Sequence, residues 1–302
     1  MNIGIITVRD KNYHPNGRLI QAAAAKGHQG RLIHPYKVWP HAAQSGLGFE
    51  GELNEKDLDV VMPRQGATIG ESSLTLLFHF NCLKIPMVNG FNAVRIARSQ
   101  IMTLQTLAAK DLPVPETLFV NSEDGFHRAV PLVGGYPVVA KQVSGRQGSG
   151  IYLVETNTQA KALLNDHMEP PVGVLVQRYL PTPGRLDIRV MVIDGKAVGA
   201  MEMTPLQGDF RANYHLTRES CPFTITSSIE KLAVKAARVV GLDIAGVDMI
   251  VDRHQNMYLI EVNYAPGFNG LEKATGLDIA SCMIDCAVKK AGTPKSQTTK
   301  DQ

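Results

Sequence analysis

Two short apolar segments near the C-terminal end of the chain carry three polar side chains, Asp248, Glu261 and Asn263. The stretch between the segments is polar, as is typical of a loop that closes a β-hairpin. If a four-residue loop joins Asp252 to Met257, the strand pairing places Asp248 directly opposite Glu261. Asn263 then follows two residues along the same face, because side chains alternate along a strand. The pattern therefore predicts an antiparallel hairpin with two carboxylates and an amide on one face.

These two carboxylates would face each other on an otherwise apolar hairpin, so they would repel unless a cation lies between them. The alternative interpretation is a pair of solvated acidic groups on the open side of a sheet. Three hard oxygen donors suit Mg²⁺, which keeps several waters and is usually bound together with substrate phosphates. We therefore predict that Asp248, Glu261 and Asn263 bind Mg²⁺ and that the chain is a metal-nucleotide enzyme.

The composition is ordinary for a globular chain: 302 residues, of which 44% are hydrophobic and 20% charged. The net charge of +3 is too small to favour nucleic acid or an anionic membrane as the main partner. The four cysteines have neither zinc-site nor disulfide-framework spacing. No signal peptide or membrane span is visible, so we expect a cytoplasmic location.

Apolar strand-like runs alternate with helical patterns in the first 90 or so residues, which predicts a parallel, doubly wound sheet. Strands are expected at 2–8, 30–34, 58–64 and 86–89, and helices from about Asn16 to Gly27 and at 71–83. No Gly-x-Gly-x-x-Gly follows the first strand, so a Rossmann dinucleotide site is not supported. Arg64 lies at a strand's carboxyl end, where open α/β sheets bind ligands, and is a candidate for substrate binding.

The rest of the chain divides at Pro170-Pro171, a dipeptide that marks turns and loops and lies here between two patterned segments. We predict a parallel-sheet domain at 1–92, a small α+β domain at 93–173 and a larger domain at 174–292 that carries the metal site. The larger domain should contain a hairpin that turns at Asp194-Gly195 and a helix at 278–290. The polar tail at 293–302 has no apolar anchor, so we expect it to be disordered.

Lys141 ends an apolar strand-like run and is followed by a glycine-rich stretch containing Gly145, Gly148 and Gly150. A lysine in such a strand is costly unless it meets an anion, and glycines let backbone N–H groups approach phosphate oxygens. The stretch is not a Walker A loop, because the Gly-Lys-Ser/Thr ending is absent. The alternatives are a strand-end lysine that reaches solvent and a flexible hairpin tip.

Two further segments carry arginines. Asp187 and Arg189 alternate on one strand and share a face, and Arg211 lies in a polar loop with Asn213. The guanidinium fork suits carboxylate and phosphoryl groups, although a surface ion pair is the commoner role of any single arginine. The histidines, including His215, have no metal-site spacing.

Taken together, these motifs resemble the RimK-like α-L-glutamate ligases of the ATP-grasp superfamily, including the type that adds glutamate to the C-terminus of a ribosomal protein. The similarity spans nearly the whole chain outside the tail. It is carried by residues 61–64, 138–141, 145–150, 176–179, 187–189, 208–213, 245–248, 261–263, 265–267 and 270–280.

The resemblance implies an ATP-grasp fold of mixed α/β and α+β class: a preATP-grasp parallel-sheet domain, a small lid domain and a larger metal-bearing domain, with ATP between the last two. It implies two Mg²⁺, or Mn²⁺, on Asp248, Glu261 and Asn263, catalytic roles for Arg211 and Arg189, and substrate contacts at Arg64 and His215. The implied ATP contacts are Lys141, Gly145, Gly148, Gly150, Arg178, Tyr179, Asp187, Arg211, Ala212 and Asn213.

The implied activity is ATP-dependent joining of a carboxylate to an amine through an acylphosphate, adding glutamate or another amino acid to a peptide, protein or small molecule. The resemblance also implies a dimer or tetramer. Two alternatives stay open: a nucleotide-binding regulator that has lost ligation, and a ligase that joins small metabolites. The chain departs from the family pattern at Gln100, where a lysine is expected, at Arg178, where an acidic residue is usual, and in the loop after His215, which lacks a basic, glycine-rich run.

Overall fold

The computed structural model describes residues 1–53, 58–66, 69–143, 150–206, 209–211 and 217–292, without the side chains of 217–220. The chain forms two compact units. The first contains Met1–Phe91 and the segment from Asp278 onward, and the second contains Asn92–Leu277. The tail, predicted to be disordered, lies outside the described residues.

The regular elements of the described residues follow one another as strands and helices. The strands are β1 (Asn2–Ile6), β2 (Gln29–Ile33), β3 (Val38–Ala43), β4 (Gly46–Gly51), β5 (Val60–Pro63), β6 (Thr117–Val120), β7 (Val138–Gln142), β8 (Ile151–Val154), β9 (Val174–Arg178), β10 (Leu186–Ile193), β11 (Lys196–Pro205), β12 (Thr217–Pro222), β13 (Ile244–Val251) and β14 (Met257–Asn263). The helices are α1 (His14–Ala25), α2 (Glu71–Cys82), α3 (Phe91–Ala97), α4 (Gln100–Ala108), α5 (Glu123–Leu132), α6 (Asn157–His167), α7 (Ser227–Val240), α8 (Asn269–Thr275) and α9 (Ile279–Gly292).

The first unit is built on the parallel sheet that the strand–helix alternation predicts, with strand order β2-β1-β5. Its buried strands are apolar, since both faces of a parallel sheet are covered. The fourth strand expected at 86–89 is reduced to a single parallel bridge between Val61 and Met87. Arg64 follows β5, and its backbone N–H donates to the carbonyl of Ile6.

A hairpin formed by β3 and β4 is absent from the sequence-based prediction. Pro40 lies in β3 and three glycines lie in β4, and both residue types weaken a strand pattern. Among the described residues the two strands pair only with each other, and Phe49 of β4 packs against His79 and Phe80 of α2.

Helix α9 corrects the predicted third domain, which ran to residue 292. This helix packs on α1 and β5, within the first unit. Its apolar face, which includes Met283 and Ile284, is buried, and an ion pair of 2.7 Å joins Asp285 to Lys26 of α1. Helical periodicity shows which face of α9 is apolar, but it does not identify the surface that covers that face.

The second unit contains a four-stranded antiparallel sheet with strand order β6-β9-β7-β8. Its core includes Phe126, Val138 and Val176. The strand β9 is an inner strand of this sheet, so the predicted domain boundary before residue 174 is wrong: it separated β9 from the strands that flank it. Helix α3 ends at Ala97 and α4 begins at Gln100, where the Ser99 side chain caps α4 by accepting a hydrogen bond from the N–H of Met102.

The second unit also contains a five-stranded antiparallel sheet with strand order β12-β11-β10-β13-β14. As predicted, β10 and β11 turn at Asp194-Gly195, where both residues have positive φ. The segment Thr217–Pro222, which we interpreted as part of a loop, is instead the edge strand β12. No helix in the described part of the chain is long and apolar enough to cross a membrane.

Candidate active site

The hairpin formed by β13 and β14 contains a β-bulge. Near the tip, Val251 pairs with Met257 and Met249 with Leu259, but further along Asp248 pairs with Glu261. Ile260 is therefore the extra residue on β14. The predicted pairing of Asp252 with Met257 is wrong by one residue, because the loop has five residues rather than four, and the bulge restores the predicted pairing of Asp248 with Glu261.

Three charged side chains lie side by side across neighbouring strands of this sheet. Arg189 on β10 pairs with Asp248 on β13, and Asp248 in turn pairs with Glu261 on β14. The Arg189 guanidinium donates from Nε and Nη2 to the two Asp248 carboxylate oxygens, each at 2.6 Å. Both side chains are nearly buried, so this bidentate pair is shielded from water.

The charges in this row shift each other's protonation. Burial raises the pKa of Glu261, and the Asp248 charge raises it further, whereas Arg189 and Lys141 oppose both effects. Burial by itself would lower the pKa of Arg189, but Asp248 more than reverses this, so the guanidinium keeps its proton. An additional cation would thus stabilise the charged form of Glu261.

Lys141 lies on β7 of the four-stranded sheet, with only 6% of its surface exposed. Burial lowers its pKa to about 8, and the charge of Glu261 limits this fall. No side-chain hydrogen bond or ion pair joins the Lys141 ammonium to any other residue that the structure describes. The side chain therefore carries a buried charge that an anion would stabilise.

Gly150 closes the segment that follows Lys141: the N–H of Gln142 donates to its carbonyl at 2.8 Å. Gly150 has a φ of 77°, and a Cβ at this position would collide with the Gln142 side chain. The position therefore requires glycine for both conformational and steric reasons. Gly145 and Gly148, the other members of the predicted phosphate loop, lie outside the described residues.

The hairpin face offers hard oxygen donors that fit Mg²⁺: two carboxylates and the amide of Asn263. The Asn263 Oδ1 accepts a hydrogen bond from the N–H of Ala265 at 2.9 Å, which fixes the orientation of the amide. In the described part of the chain no three His, Cys, Asp or Glu side chains are grouped to hold a metal ion. Mg²⁺ at this face would thus rely on Asn263, waters and substrate phosphates besides the two carboxylates.

Arg185 is a candidate site residue that the sequence analysis missed. Its guanidinium donates to Asp187 at 2.8 and 3.2 Å, to the carbonyl of Leu180 at 2.6 Å and to the carbonyl of Phe210. Burial raises the pKa of Asp187, and Arg185 works against that rise. One buried arginine thus connects the linker after β9, the strand β10 and the loop before Arg211. Two of its three partners are backbone carbonyls, which leave no signal in sequence.

Two of the predicted ATP contacts, Tyr179 and Arg211, directly adjoin Leu180 and Phe210, whose carbonyls accept from Arg185. The Tyr179 ring packs edge-on against Phe210, with 6.1 Å between centroids. Arg178 is exposed and forms an ion pair with Glu116 at 3.3 Å. Arg211 forms a local ion pair with Asp209, at 2.7 Å for the shortest contact, and its hydrogen bonds lower the pKa of Asp209.

The structure thus brings Asp248, Glu261, Asn263 and Arg189 onto one sheet face. Arg64 belongs to the first unit, at the carboxyl end of β5. Three other predicted site residues lie outside the described residues: Ala212, Asn213 and His215. Ligand binding by all these residues stays a prediction.

Comparison with known proteins decides the family. Residues 97–287 match the model of the RimK-like ATP-grasp domain, and residues 1–94 match that of the RimK PreATP-grasp domain. The chain belongs to the RimK-like ATP-grasp family. Our assignment of the family, of the mixed α/β fold with an N-terminal parallel sheet and of an ATP-dependent carbon–nitrogen ligase is confirmed.

Curated relatives of this RimK-like chain match it over almost its full length. It is 33% identical over 300 residues to a probable alpha-L-glutamate ligase of Aliivibrio fischeri, covering 99% of both chains. It is 35% identical over 302 residues to a protein of the same name from Alkalilimnicola ehrlichii, again covering 99% of both.

Solved structures support the same fold at lower identity. A RimK domain ATP-grasp protein from Sphaerobacter thermophilus superposes with a TM-score of 0.77 at 22% identity, covering 95% of this chain and 100% of that one. The ATP-grasp ligase PsnB, complexed with minimal precursor, Mg and ADP, superposes with a TM-score of 0.70 at 20% identity, covering 96% and 97%.

Proposed function

We propose that this RimK-like protein forms a peptide bond between glutamate, or a related amino acid, and a carboxylate acceptor at the expense of ATP. The relatives named alpha-L-glutamate ligase support glutamate as the incoming amino acid. The acceptor is a peptide or protein terminus in this proposal, in line with the precursor-bound PsnB structure. We place the reaction in the cytoplasm and expect a dimer or tetramer.

The observation that carries the proposal is the charge arrangement of the second unit. Asp248 and Glu261 face each other on one sheet, and the charge of Glu261 acts on Lys141 of the other sheet. With Arg189, the group holds two acidic and two basic side chains. ATP with two Mg²⁺, or Mn²⁺, is close to neutral as a unit, so its binding would leave this balance intact while placing cations beside Glu261 and phosphate oxygens beside Lys141.

In this mechanism the residues of the chain bind and orient the reactants. Asp248, Glu261 and Asn263 hold the metal, which supplies neutralisation of the phosphate charge. Tyr179, with Asp187 held by Arg185, contacts the nucleoside, and Lys141 contacts phosphate oxygens. The proposal also includes ATP contacts from six further residues: Gly145, Gly148, Gly150, Arg178, Ala212 and Asn213.

The chemistry then proceeds in two steps. The acceptor carboxylate attacks the γ-phosphate, which gives an acylphosphate and ADP, and the amino group of the incoming amino acid displaces phosphate through a tetrahedral intermediate. Arg211 stabilises the acylphosphate, and Arg189 orients Asp248 through its two hydrogen bonds. Exclusion of water protects the acylphosphate from hydrolysis. Arg64 and His215 contact the substrates.

A second candidate is a nucleotide-binding regulator that does not ligate. Two observations favour it: glutamine at position 100, and the occupation of both Asp248 oxygens by Arg189. In that case ATP binds, but no acceptor stimulates its turnover.

The test is ADP release from the full-length protein with ATP and Mg²⁺, with each amino acid supplied alone and together with peptides that end in a free carboxylate. We expect ADP release that requires both glutamate and a peptide, and a product heavier by one or more glutamate residues in mass spectrometry. Glu261→Gln should abolish release while the circular dichroism spectrum is unchanged. ATP binding without acceptor-dependent release would favour the regulator, and turnover with free amino acids alone would favour a small-metabolite ligase.

A further inference from the structure

The bulge at Ile260 determines which face of the hairpin Glu261 occupies. On the tip side of the bulge Met249 pairs with Leu259, and continuing that register would place Asp248 opposite Ile260 and Glu261 opposite Val247. Since a one-residue slip moves every side chain to the other face of a sheet, Glu261 would leave the face that carries Asp248. The facing carboxylates therefore depend on one extra residue.

A side chain from a distant part of the chain binds this extra residue. The Gln100 side-chain amide donates from Nε2 to the carbonyl oxygen of Ile260 at 3.3 Å, in a partly buried contact. Gln100 is the first residue of α4, which packs on β14. A backbone bond anchors the neighbouring position, because the N–H of Leu259 donates to the carbonyl of Pro113 at 2.8 Å.

These two anchors act on the outer edge of the sheet. The strand β14 is an edge strand, so its outward backbone groups have no strand partner in the described sheet. A bulge adds a residue that is left out of the ladder, and here the carbonyl of that residue accepts from Gln100. The contact thus stabilises the bulged conformation at the residue immediately before Glu261.

We propose that Gln100 is a positioning residue that holds the Ile260 bulge and thereby keeps Glu261 opposite Asp248. Gln100 acts on the metal-binding face through the backbone of β14. The consequence of this contact for catalysis rests on the proposed function. The conformational part, which is the effect of Gln100 on β14, stands apart from that function.

The decisive variant is Gln100→Glu, which keeps the size of the side chain but replaces the amide donor with an acceptor that repels the Ile260 carbonyl. A glutamate is favourable in the first turn of a helix, so α4 should remain folded. The matched control is Gln105→Glu, the same change on the exposed face of the same helix. Gln100→Lys restores a donor and serves as the rescue variant.

Two measurements separate the inference from the proposed function. Hydrogen–deuterium exchange of the protein without ligand should show faster exchange at 259–262 in Gln100→Glu, and no change there in Gln105→Glu. The Mg²⁺ concentration for half-maximal ADP release should rise about tenfold or more in Gln100→Glu and return toward the original value in Gln100→Lys. Unchanged exchange at 259–262 in Gln100→Glu would overturn the inference, whatever the activity.

If exchange accelerates but the Mg²⁺ requirement stays within about twofold of the unmodified protein, the link from the bulge to the metal face is overturned. If the unmodified protein releases no ADP with any acceptor, the proposed function fails, and the exchange measurement still decides the role of Gln100. The two failures are therefore distinguishable.

Discussion

The two sheets of the second unit handle buried charge in opposite ways. The five-stranded sheet carries two buried carboxylates that are paired with arginines, Asp248 with Arg189 and Asp187 with Arg185. The four-stranded sheet buries the Lys141 ammonium without a side-chain hydrogen bond to the described residues, and burial lowers the pKa of Lys141 to about 8. These two ion pairs thus fix the geometry of their side chains before a ligand arrives, whereas the smaller sheet holds a cation that an anionic ligand would stabilise.

This difference indicates which substitutions should damage folding and which should damage binding. Breaking a buried pair leaves an uncompensated charge, so it should lower the free energy of unfolding. Replacing a buried, unpartnered charge with an apolar group should not lower it. Stability and ATP affinity measured on the same variants therefore test the comparison directly.

The largest effect on stability is expected for Arg189→Met, which leaves the buried Asp248 carboxylate without its arginine partner. We expect the free energy of unfolding to fall by about 3–5 kcal/mol, measured by urea denaturation. The control is Arg128→Met, which breaks the exposed Arg128–Asp124 pair and should change stability little. Equal losses in the two variants would mean that the Arg189–Asp248 pair is not effectively buried.

The second prediction concerns Lys141→Met, which should weaken ATP binding without lowering stability. Lys141→Met removes the buried charge at similar volume, so we expect the free energy of unfolding at pH 7 to be unchanged or higher. The Kd for ATP should rise about tenfold or more, because a charge-assisted contact to phosphate is lost. Calorimetry and denaturation of this variant check both parts, and a stability loss as large as that of Arg189→Met would contradict the comparison.

The smallest effect is a proton linkage. Because the pKa of Lys141 is about 8, about half of these lysines are neutral at pH 8 in the free protein. Phosphate favours the charged form, so ATP binding should take up a proton, and ATP affinity should fall as the pH rises above 8. Calorimetry at pH 8 in buffers of different ionisation enthalpy should show an uptake of up to about half a proton.

Lys141→Arg provides the control for this measurement, because arginine stays protonated throughout this pH range. The uptake assigned to position 141 should disappear in this variant. An identical uptake in the variant and the unmodified protein would assign the proton to another group.

Structural features that depend on neighbouring residues can be predicted from the sequence. The alternation of the parallel strands, the turn at Asp194-Gly195 and the shared face of Asp248 and Glu261 follow from periodicity and turn chemistry. The bulge does not, because a four-residue loop without a bulge and a five-residue loop with one both pair Asp248 with Glu261.

The features that sequence did not reveal depend on contacts distant along the chain. Arg185 is recognisable only once Leu180 and Phe210 present their carbonyls to it. In comparison with the family pattern, Gln100 is noticeable only because a lysine is expected there. Its contact with Ile260 joins residues 160 positions apart, which no local pattern indicates. Helix α9 shows its apolar face in sequence but not the unit that covers it.

The bulge at Ile260 also has a consequence for how this part of the chain can change in length. The tip Asp252–Asn256 and the carboxylate-bearing half of the hairpin lie on opposite sides of it. A residue gained or lost near the tip can be accommodated by creating, moving or removing a bulge, while Asp248 and Glu261 keep facing each other. The hairpin can thus vary in sequence length at its exposed end without disturbing its acidic end.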